Sequence, residues 1–557
     1  MDTDEKIARA CRPRPIPEVA REKLGLRPED LELHGPYMAK LSLPLLRRLE
    51  SRPRGKLILV TAMSPTPFGE GKTTTAIGLV DALQRLGQRA ILSLREPSVG
   101  PVFGVKGGAT GGGKAQVIPR EEINLNFTGD FGAIALAHNL LAALLDNHLY
   151  HGNQLEIVPW EIGWRRVVDV NDRALRQIVV GLETGSVVRR DAFDIVAASE
   201  VMAILCLARS LAELKERLGN IVVAWARGDR LVRARDLGAA GAMTALLRDA
   251  FKPNLVQTLE GNPALVHGGP FGNIAHGCSS LVATEAGLRL ADYVVTEAGF
   301  GSDLGAEKFI HIKCRRGGLQ PSAAVIVATL RSIKYHGGCP VGSVHQPNAK
   351  ALAAGVENLH RHVQNVWDGF GLPCVVCVNR FSQDSEGELA WLQNEVKAWG
   401  VPLVTSTHWA DGSAGAVDLA EAVMGLVKDR TPPQLRFVYE SHWPLLRKLE
   451  AIAVRIYRAS DVEVAPKARK EIERLERRGF GSLDICVAKT QYSFTADPRR
   501  VGAPEGFVLP LREVRLAAGA GFVVMICGET LTMPGLQRDP AAAQVDVDEE
   551  GNIYGIR

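Results

Sequence analysis

The sequence predicts an α/β fold: a P-loop-containing, multi-domain protein with mostly parallel sheets flanked by helices. Three observations lead there. Short apolar strand-like runs such as Leu57-Ile-Leu-Val60 and Ala90-Ile-Leu-Ser-Leu94 alternate with helical patterns, as buried parallel strands and their crossovers do. A glycine-rich turn, Thr66-Pro-Phe-Gly-Glu-Gly-Lys-Thr73, joins the first such strand to the first such helix. The 557 residues suffice for about three or four domains of roughly 150 residues each.

In chain order, residues 1–55 read as an N-terminal arm packed on the core, with three prolines between Arg12 and Pro17 and a short amphipathic helix over Glu18–Leu26. A nucleotide-binding α/β domain follows over 56–292. Its strand Leu57–Val60 leads through the glycine turn into a helix over Thr73–Leu86, which sets Ile77, Val80, Leu83 and Leu86 on one face and stops at Gly87. The strand Ala90–Leu94 delivers Arg95-Glu-Pro97 at its carboxyl end, the edge where open α/β sheets bind ligands. Residues 99–130, with Gly107-Gly108 and Gly111-Gly-Gly113, read as an ordered functional loop because apolar residues are embedded in it. Helices are expected over 131–148, 172–182 and 199–218, then a strand at Ile221–Trp225.

A second α/β domain, 293–432, holds strands Tyr293–Thr296, Ala324–Val327, Cys374–Val378 and Leu403–Val404, with helices over 349–367, 385–399 and 415–428. Pro432-Pro433 marks its end. A C-terminal α/β domain, 433–557, carries helices over 443–458 and 466–478 and strands Asp484–Val487 and Gly521–Ile526.

Composition narrows the function. A net charge of +4 from 66 basic and 62 acidic residues, without long runs of either sign, calls for neither nucleic acid nor a membrane surface. Nine scattered cysteines, several inside apolar runs, indicate a reducing cytosol and no disulfide framework. The charged start Met1–Lys6 is unlike a signal peptide, and no apolar run reaches the roughly 20 residues that span a bilayer, so a cytoplasmic protein is expected.

The chemistry gathers at strand ends. The glycine turn departs from G-x-x-x-x-G-K-[ST], with Thr66 where the first glycine belongs and prolines at 65 and 67, yet it suits a phosphate chain at a helix N-terminus. Lys72 is read as a phosphate ligand rather than a solvated first-turn residue, because a cation there opposes the helix dipole unless an anion is bound. Thr73 or Thr74 can offer a hydroxyl to Mg2+. Arg95 suits a carboxylate or phosphate, or else pairs with Glu96. Asp130 either caps the helix beginning at Phe131 or holds a metal or substrate. His267 and His276, nine apart among glycines, suggest a ligand-facing turn rather than a zinc site. Cys374 and Cys377 lie in a strand and read as core thiols. Phe381 and Trp409 each follow a strand and could sandwich a flat heterocycle, against the plainer reading of core edges.

Taken together these stretches resemble the formate–tetrahydrofolate ligase family over nearly the whole length. The resemblance rests on Thr66–Thr73, Arg95-Glu-Pro-Ser-Val-Gly-Pro101, Phe127-Thr-Gly-Asp130, Asp146-Asn-His148, Asn171–Arg176, Ala198–Leu205, His267-Gly-Gly-Pro-Phe271, Glu297-Ala-Gly-Phe-Gly301, Lys489–Phe494 and Met533-Pro-Gly535. It implies Mg-ATP-dependent joining of formate to tetrahydrofolate through formyl phosphate, giving 10-formyltetrahydrofolate, ADP and phosphate. It further implies that Thr66, Pro67, Phe68, Gly69, Glu70, Gly71, Lys72, Thr73 and Thr74 bind ATP, Thr73 with Mg2+. On the same grounds Arg95 steadies formyl phosphate, Asp130 belongs to the catalytic site, and Phe381 with Trp409 flank the pterin. A homotetramer activated by a monovalent cation, K+ or NH4+, is implied by the resemblance alone.

The chain also departs from that pattern. Lys114, Asn126 and Gly132 stand where the family usually has Tyr, His and His, Ser382 where Pro is usual, and Thr405 where an apolar residue is usual. Two potential acid/base imidazoles are thereby missing. This keeps two further functions in view: a ligase that activates another small carboxylate through an acyl phosphate, and a nucleotide-operated switch ATPase.

Overall fold

The computed structural model describes residues 4–104, 108–183, 185–428 and 433–556. Its frame is one twelve-stranded sheet with seven neighbouring parallel strands among the described residues. In chain order these are β1 (Lys56–Ala62), β2 (Ala90–Leu94), β3 (Pro263–Val266), β4 (Tyr293–Glu297), β5 (Pro321–Ala328), β6 (Cys374–Asn379) and β7 (Leu403–Ser406). In space they run β3-β2-β4-β1-β5-β6-β7. The fold is therefore mixed α/β with a large, mostly parallel sheet and covering helices. Strands from both expected α/β regions share it, since β4 lies between β2 and β1.

The apolar runs form these strands because both sheet faces are covered. Along β1, Leu57 and Leu59 enter one core, while Ile58 and Val60 enter the other, as the two-residue strand period requires. The second core also contains Ile77, Val80 and Leu83 of α1 (Lys72–Arg85) and Leu419 and Val423 of the helix Val417–Val427. Each large aliphatic side chain buried this way contributes about 1.5–3 kcal/mol.

The N-terminal arm does more than supply its helix, observed at Ile16–Leu24. Its strands Leu31–His34 and Met38–Leu41 extend the sheet in antiparallel fashion, Met38–Leu41 pairing with Asn254–Thr258, which pairs with β3. Residues 172–182 are not a helix. Asp172 caps only a short turn, Arg173–Arg176, and the β-branched Ile178-Val-Val180 pairs antiparallel with Arg189–Asp191. The helix expected over 199–218 is two, Glu200–Leu207 and Leu211–Gly219, because Ser210 caps the second by accepting from the Glu213 N–H. The glycine-rich stretch carries short helices Val99–Phe103 and Arg120–Asn124 and a hairpin of Gly111–Gly112 with Ala115–Ile118. Gly107 and Pro432, part of the expected loop and boundary, lie outside the described residues.

All nine cysteines are free thiols. Among the described residues no helix is long and apolar enough to cross a membrane.

Candidate active site

Beyond the carboxyl end of β1 the chain has gone one way to β2 and, later, the other way to β5, so a crevice opens at this reversal of strand order. The glycine turn fills the connection from β1 to α1. Gly71 is the N-cap of α1 with φ 79°, a conformation that favours glycine, and it brings no capping side chain. Among the described residues no side chain caps this end, so the first N–H groups of α1 favour an anion.

A buried carboxylate holds the turn's shape. Glu70 Oε1 accepts from the Thr66 N–H at 2.7 Å and from Thr66 Oγ1 at 3.0 Å. Lys72 Nζ lies 3.8 Å from Glu70 Oε2, so its local partner is an acid of the turn itself. Burial raises the Glu70 carboxyl above the usual carboxylate range and outweighs the opposing pull of Lys72. Pro67, Phe68 and Gly69 are exposed, and the Phe68 ring meets Tyr335 edge-on at 6.0 Å.

Two residues whose roles sequence reasoning did not assign tie the turn to its surroundings. Glu297, at the end of β4, accepts from Thr73 Oγ1 at 2.8 Å through Oε2, and its Oε1 lies 3.7 Å from Arg95 Nη2. Arg95 thus pairs with Glu297 and not with Glu96. Asn379, at the end of β6, donates to the Glu70 carbonyl at 2.8 Å and accepts from Thr75 Oγ1 at 3.0 Å. Each is the last residue of a strand adjoining the site, a position that becomes meaningful only once strand order is known. The Thr73 hydroxyl and Glu297 carboxylate are hard oxygens that suit Mg2+. Among the described residues no cluster of three or more His, Cys, Asp or Glu could hold a metal. A donor pair this small fits an ion carried largely by phosphate oxygens.

Asp130 does not cap. It is the first residue of α2 (Asp130–Tyr150), whose N-cap is Gly129, and its carboxylate meets Lys40 Nζ at 2.8 Å and Asn254 Nδ2 at 2.8 Å. Lys40 also donates to Asn254 Oδ1 at 2.7 Å, which closes the buried triad. Glu96 lies beside it, its carboxyl pushed well up by burial and then by Asp130.

Phe381 and Trp409 extend from neighbouring strands, two residues beyond Asn379 and three beyond Ser406, which are register partners of β6 and β7. Both residues are 38% exposed. The Arg331 guanidinium stacks 3.9 Å from the Phe381 ring centroid and occupies one face. Trp409 rests on the glycine hairpin: its carbonyl accepts from the Lys114 N–H at 2.8 Å, and Gly113 leaves no room for a Cβ, which would lie 2.0 Å from that oxygen. Arg331, like Arg95, comes just after the end of a strand, a signal that could have found it.

Other expected features are structural. His267 is buried, its ring bonded to Ser280 Oγ and the Ala250 carbonyl, both at 2.6 Å, and burial pushes it down to about 4. His276 is also buried and neither ring nitrogen has a partner. Cys374 and Cys377 are core thiols pushed up to about 12 by burial. Lys114, Asn126, Gly132 and Ser382 are exposed, and a Cβ at Gly132 would meet nothing within 4 Å.

The sequence also matches known proteins. A sequence model of the family described as formate–tetrahydrofolate ligase matches residues 2–557. A protein of that name from Methylibium petroleiphilum is 55% identical over 560 aligned residues, covering 100% of both chains. Proteins of the same name from a Nocardioides species and from Methylococcus capsulatus are each 56% identical, again over 100% of both chains.

Proposed function

The chain belongs to the formate–tetrahydrofolate ligase family, and from that premise we propose how its own residues carry out the ATP-dependent ligation of formate to tetrahydrofolate. The turn Thr66–Thr74 serves as a phosphate loop, with the first N–H groups of α1 and the Lys72 ammonium on the ATP phosphates. Among the described residues Lys72 pairs with Glu70, 3.8 Å away, and leaves it when phosphate arrives. Thr73 and Glu297 would hold Mg2+, which when bound supplies charge to a transferring phosphoryl group.

Formate is a poor acyl donor until phosphorylated. In this reading its carboxylate attacks the γ-phosphorus of ATP, ADP leaves, and Arg95 steadies the resulting formyl phosphate with its planar fork. The folate N10 amine then attacks the formyl carbon, phosphate leaves, and the amine loses its proton, giving 10-formyltetrahydrofolate. Phe381 and Trp409 flank the pterin, Arg331 closing one face of Phe381. Asp130 acts through Lys40 and Asn254, which set the start of α2, and so is a positioning group. Segment 56–292 supplies the phosphate loop, 293–432 the folate slot, and 1–55 and 433–557 enclose them. The same reading carries a cytoplasmic homotetramer activated by K+ or NH4+.

The observation that supports it best is the chain Thr73–Glu297–Arg95, which links the ATP loop to the acyl-phosphate residue. Purified protein given formate, tetrahydrofolate, Mg-ATP and potassium should release ADP and 10-formyltetrahydrofolate one for one; ADP without formylfolate would refute the proposal. A second acyl substrate is motivated by the departures Lys114, Asn126 and Gly132, all exposed. Comparing ADP release with formate, acetate and bicarbonate decides it, and faster release with acetate or bicarbonate would displace formate.

A further inference from the structure

The phosphate loop has a second set of partners behind it, at Ser64, that the reaction above does not use. Every polar group of this buried residue is engaged. Its N–H donates to Asn358 Oδ1 at 3.2 Å, and its hydroxyl accepts from Asn358 Nδ2 at 3.0 Å and meets His362 Nε2 at 3.0 Å. Its carbonyl accepts from His336 Nε2 at 2.9 Å. The partners lie on the helix Leu330–His336 after β5 and on α3 (Ala349–Gln364), where Asn358 and His362 are four residues apart on one face.

The same side chains reach onward to the C-terminal segment. His336 Nδ1 accepts from the Gly502 N–H at 3.2 Å, and Asn358 Nδ2 donates to the Gly502 carbonyl at 2.6 Å. The segment is anchored in turn: Lys489 pairs with buried Asp303 at 2.8 Å, and the Phe494 ring lies 4.8 Å from that of His362. Asp303 adjoins Ser302, whose hydroxyl meets His362 Nδ1 at 2.7 Å.

We propose that His336 is a positioning residue for the phosphate loop, bridging Ser64 to Gly502 so that residues 489–502 brace the loop from behind. A loop has no ladder of backbone bonds to set its course, so its two feet must be held by side chains. Asn379 holds the foot at α1 through the Glu70 carbonyl, and His336 with Asn358 holds the foot at β1 through Ser64. The bridge requires neutral imidazole with the proton on Nε2, because the Gly502 N–H points at Nδ1 and a proton there would meet another donor. Burial keeps the ring neutral, holding it down at about 4. Misplacement of a reacting group by about 1 Å can cost roughly 100-fold in rate, so a small shift at Ser64 is felt at the ATP phosphates.

The inference rests on the reading of 66–74 as the phosphate loop. The test measures ATP KM, folate KM, kcat and melting temperature for His336→Leu and His336→Gln, and ATP binding directly, by calorimetry, for Lys72→Ala. His336→Leu should raise the ATP KM about tenfold or more with the folate KM within twofold. His336→Gln, whose amide offers one donor and one acceptor, should recover most of the loss. Unchanged ATP KM in His336→Leu, or ATP and folate KM rising together, overturns the proposal. If His336→Leu does not fold, Gly502→Ala perturbs the bridge from the other side, since its Cβ would press on the His336 carbonyl at 3.1 Å. An ATP KM there equal to that of the parent is then the refuting result. Lys72→Ala separates the two ideas: if it leaves ATP binding intact, the phosphate-loop reading fails first.

Discussion

Gly113→Ala tests whether the glycine hairpin aligns the folate slot. Gly113 has φ 58°, and an added Cβ would lie 2.0 Å from the Trp409 carbonyl oxygen and 2.7 Å from Trp409 Cδ2. A comfortable carbon–oxygen contact is about 3.3 Å, so hairpin and Trp409 must separate by roughly 1.3 Å. The left-handed backbone costs about 1–2 kcal/mol for alanine. Losing the Lys114 N–H bond to the Trp409 carbonyl adds about 1 kcal/mol. Gly87→Ala is the control, because Gly87 has φ 77° and nothing within 4 Å of the added carbon, so it carries the strain without the clash. Steady-state kinetics with each substrate varied in turn should show kcat/KM for folate down roughly 10–100-fold in Gly113→Ala, with the ATP KM little changed. Gly87→Ala should lose only stability. Equal folate kinetics in the two variants would refute the argument that the hairpin places Trp409.

Further outcomes follow from the same geometry. Lys72→Ala should abolish ATP-dependent activity, while folate binding, read by tryptophan fluorescence, survives; retained ligase activity would remove Lys72 from the phosphate site. Trp409→Ala should weaken folate by about 1–3 kcal/mol, the usual contribution of a heterocycle stacked on an aromatic, or roughly 5–150-fold, with ATP nearly unaffected. Equal losses for both ligands would count against the slot. Thr73→Val removes the hydroxyl bond to Glu297, costing about 1–2 kcal/mol and raising the Mg2+ needed for half-maximal rate, whereas Thr73→Ser should restore both. Asp81 is a buried carboxyl pushed up to about 7 by burial, despite bonds from Thr258 and Asn262. Since its folded value lies above the unfolded one, the folded state is penalised as this group ionises. Stability should fall as pH rises from about 4 to about 7. Asp81→Asn should flatten part of that fall in thermal melts, leaving the part due to Glu200, also pushed up to about 7; an unchanged pH profile would show that Asp81 does not titrate in this window.

The strands of the parallel sheet were legible because β1, β2 and β6 are built on short, mainly apolar runs buried on both faces. The glycine turn was legible as a whole, since it lies between two such signals. Asp130 was not: its partners Lys40 and Asn254 are 90 and 124 residues away, and only folding brings them together. Glu297 and Asn379 each came one residue after an expected strand, and their use depends on which strands adjoin β1. Residues 172–182 misled because Leu175, Ile178, Val179 and Leu182 mimic a helical stripe, whereas Leu182 is 78% exposed and no core exists for that stripe to cover. The arm's strands were missed because Leu31–His34 and Met38–Leu41 are short and mixed in character, formed by the edge they join.

The place of β4 between β2 and β1 has a consequence for how such a protein can be divided. A gene cut after residue 292 would leave the upstream fragment with a slit through the middle of its sheet, β2 and β1 facing each other across a missing strand. The downstream fragment would begin with that strand and have nothing on either side to receive it. Residues on the two sides of position 292 thus build one sheet over shared cores, and neither side can close that sheet without the other.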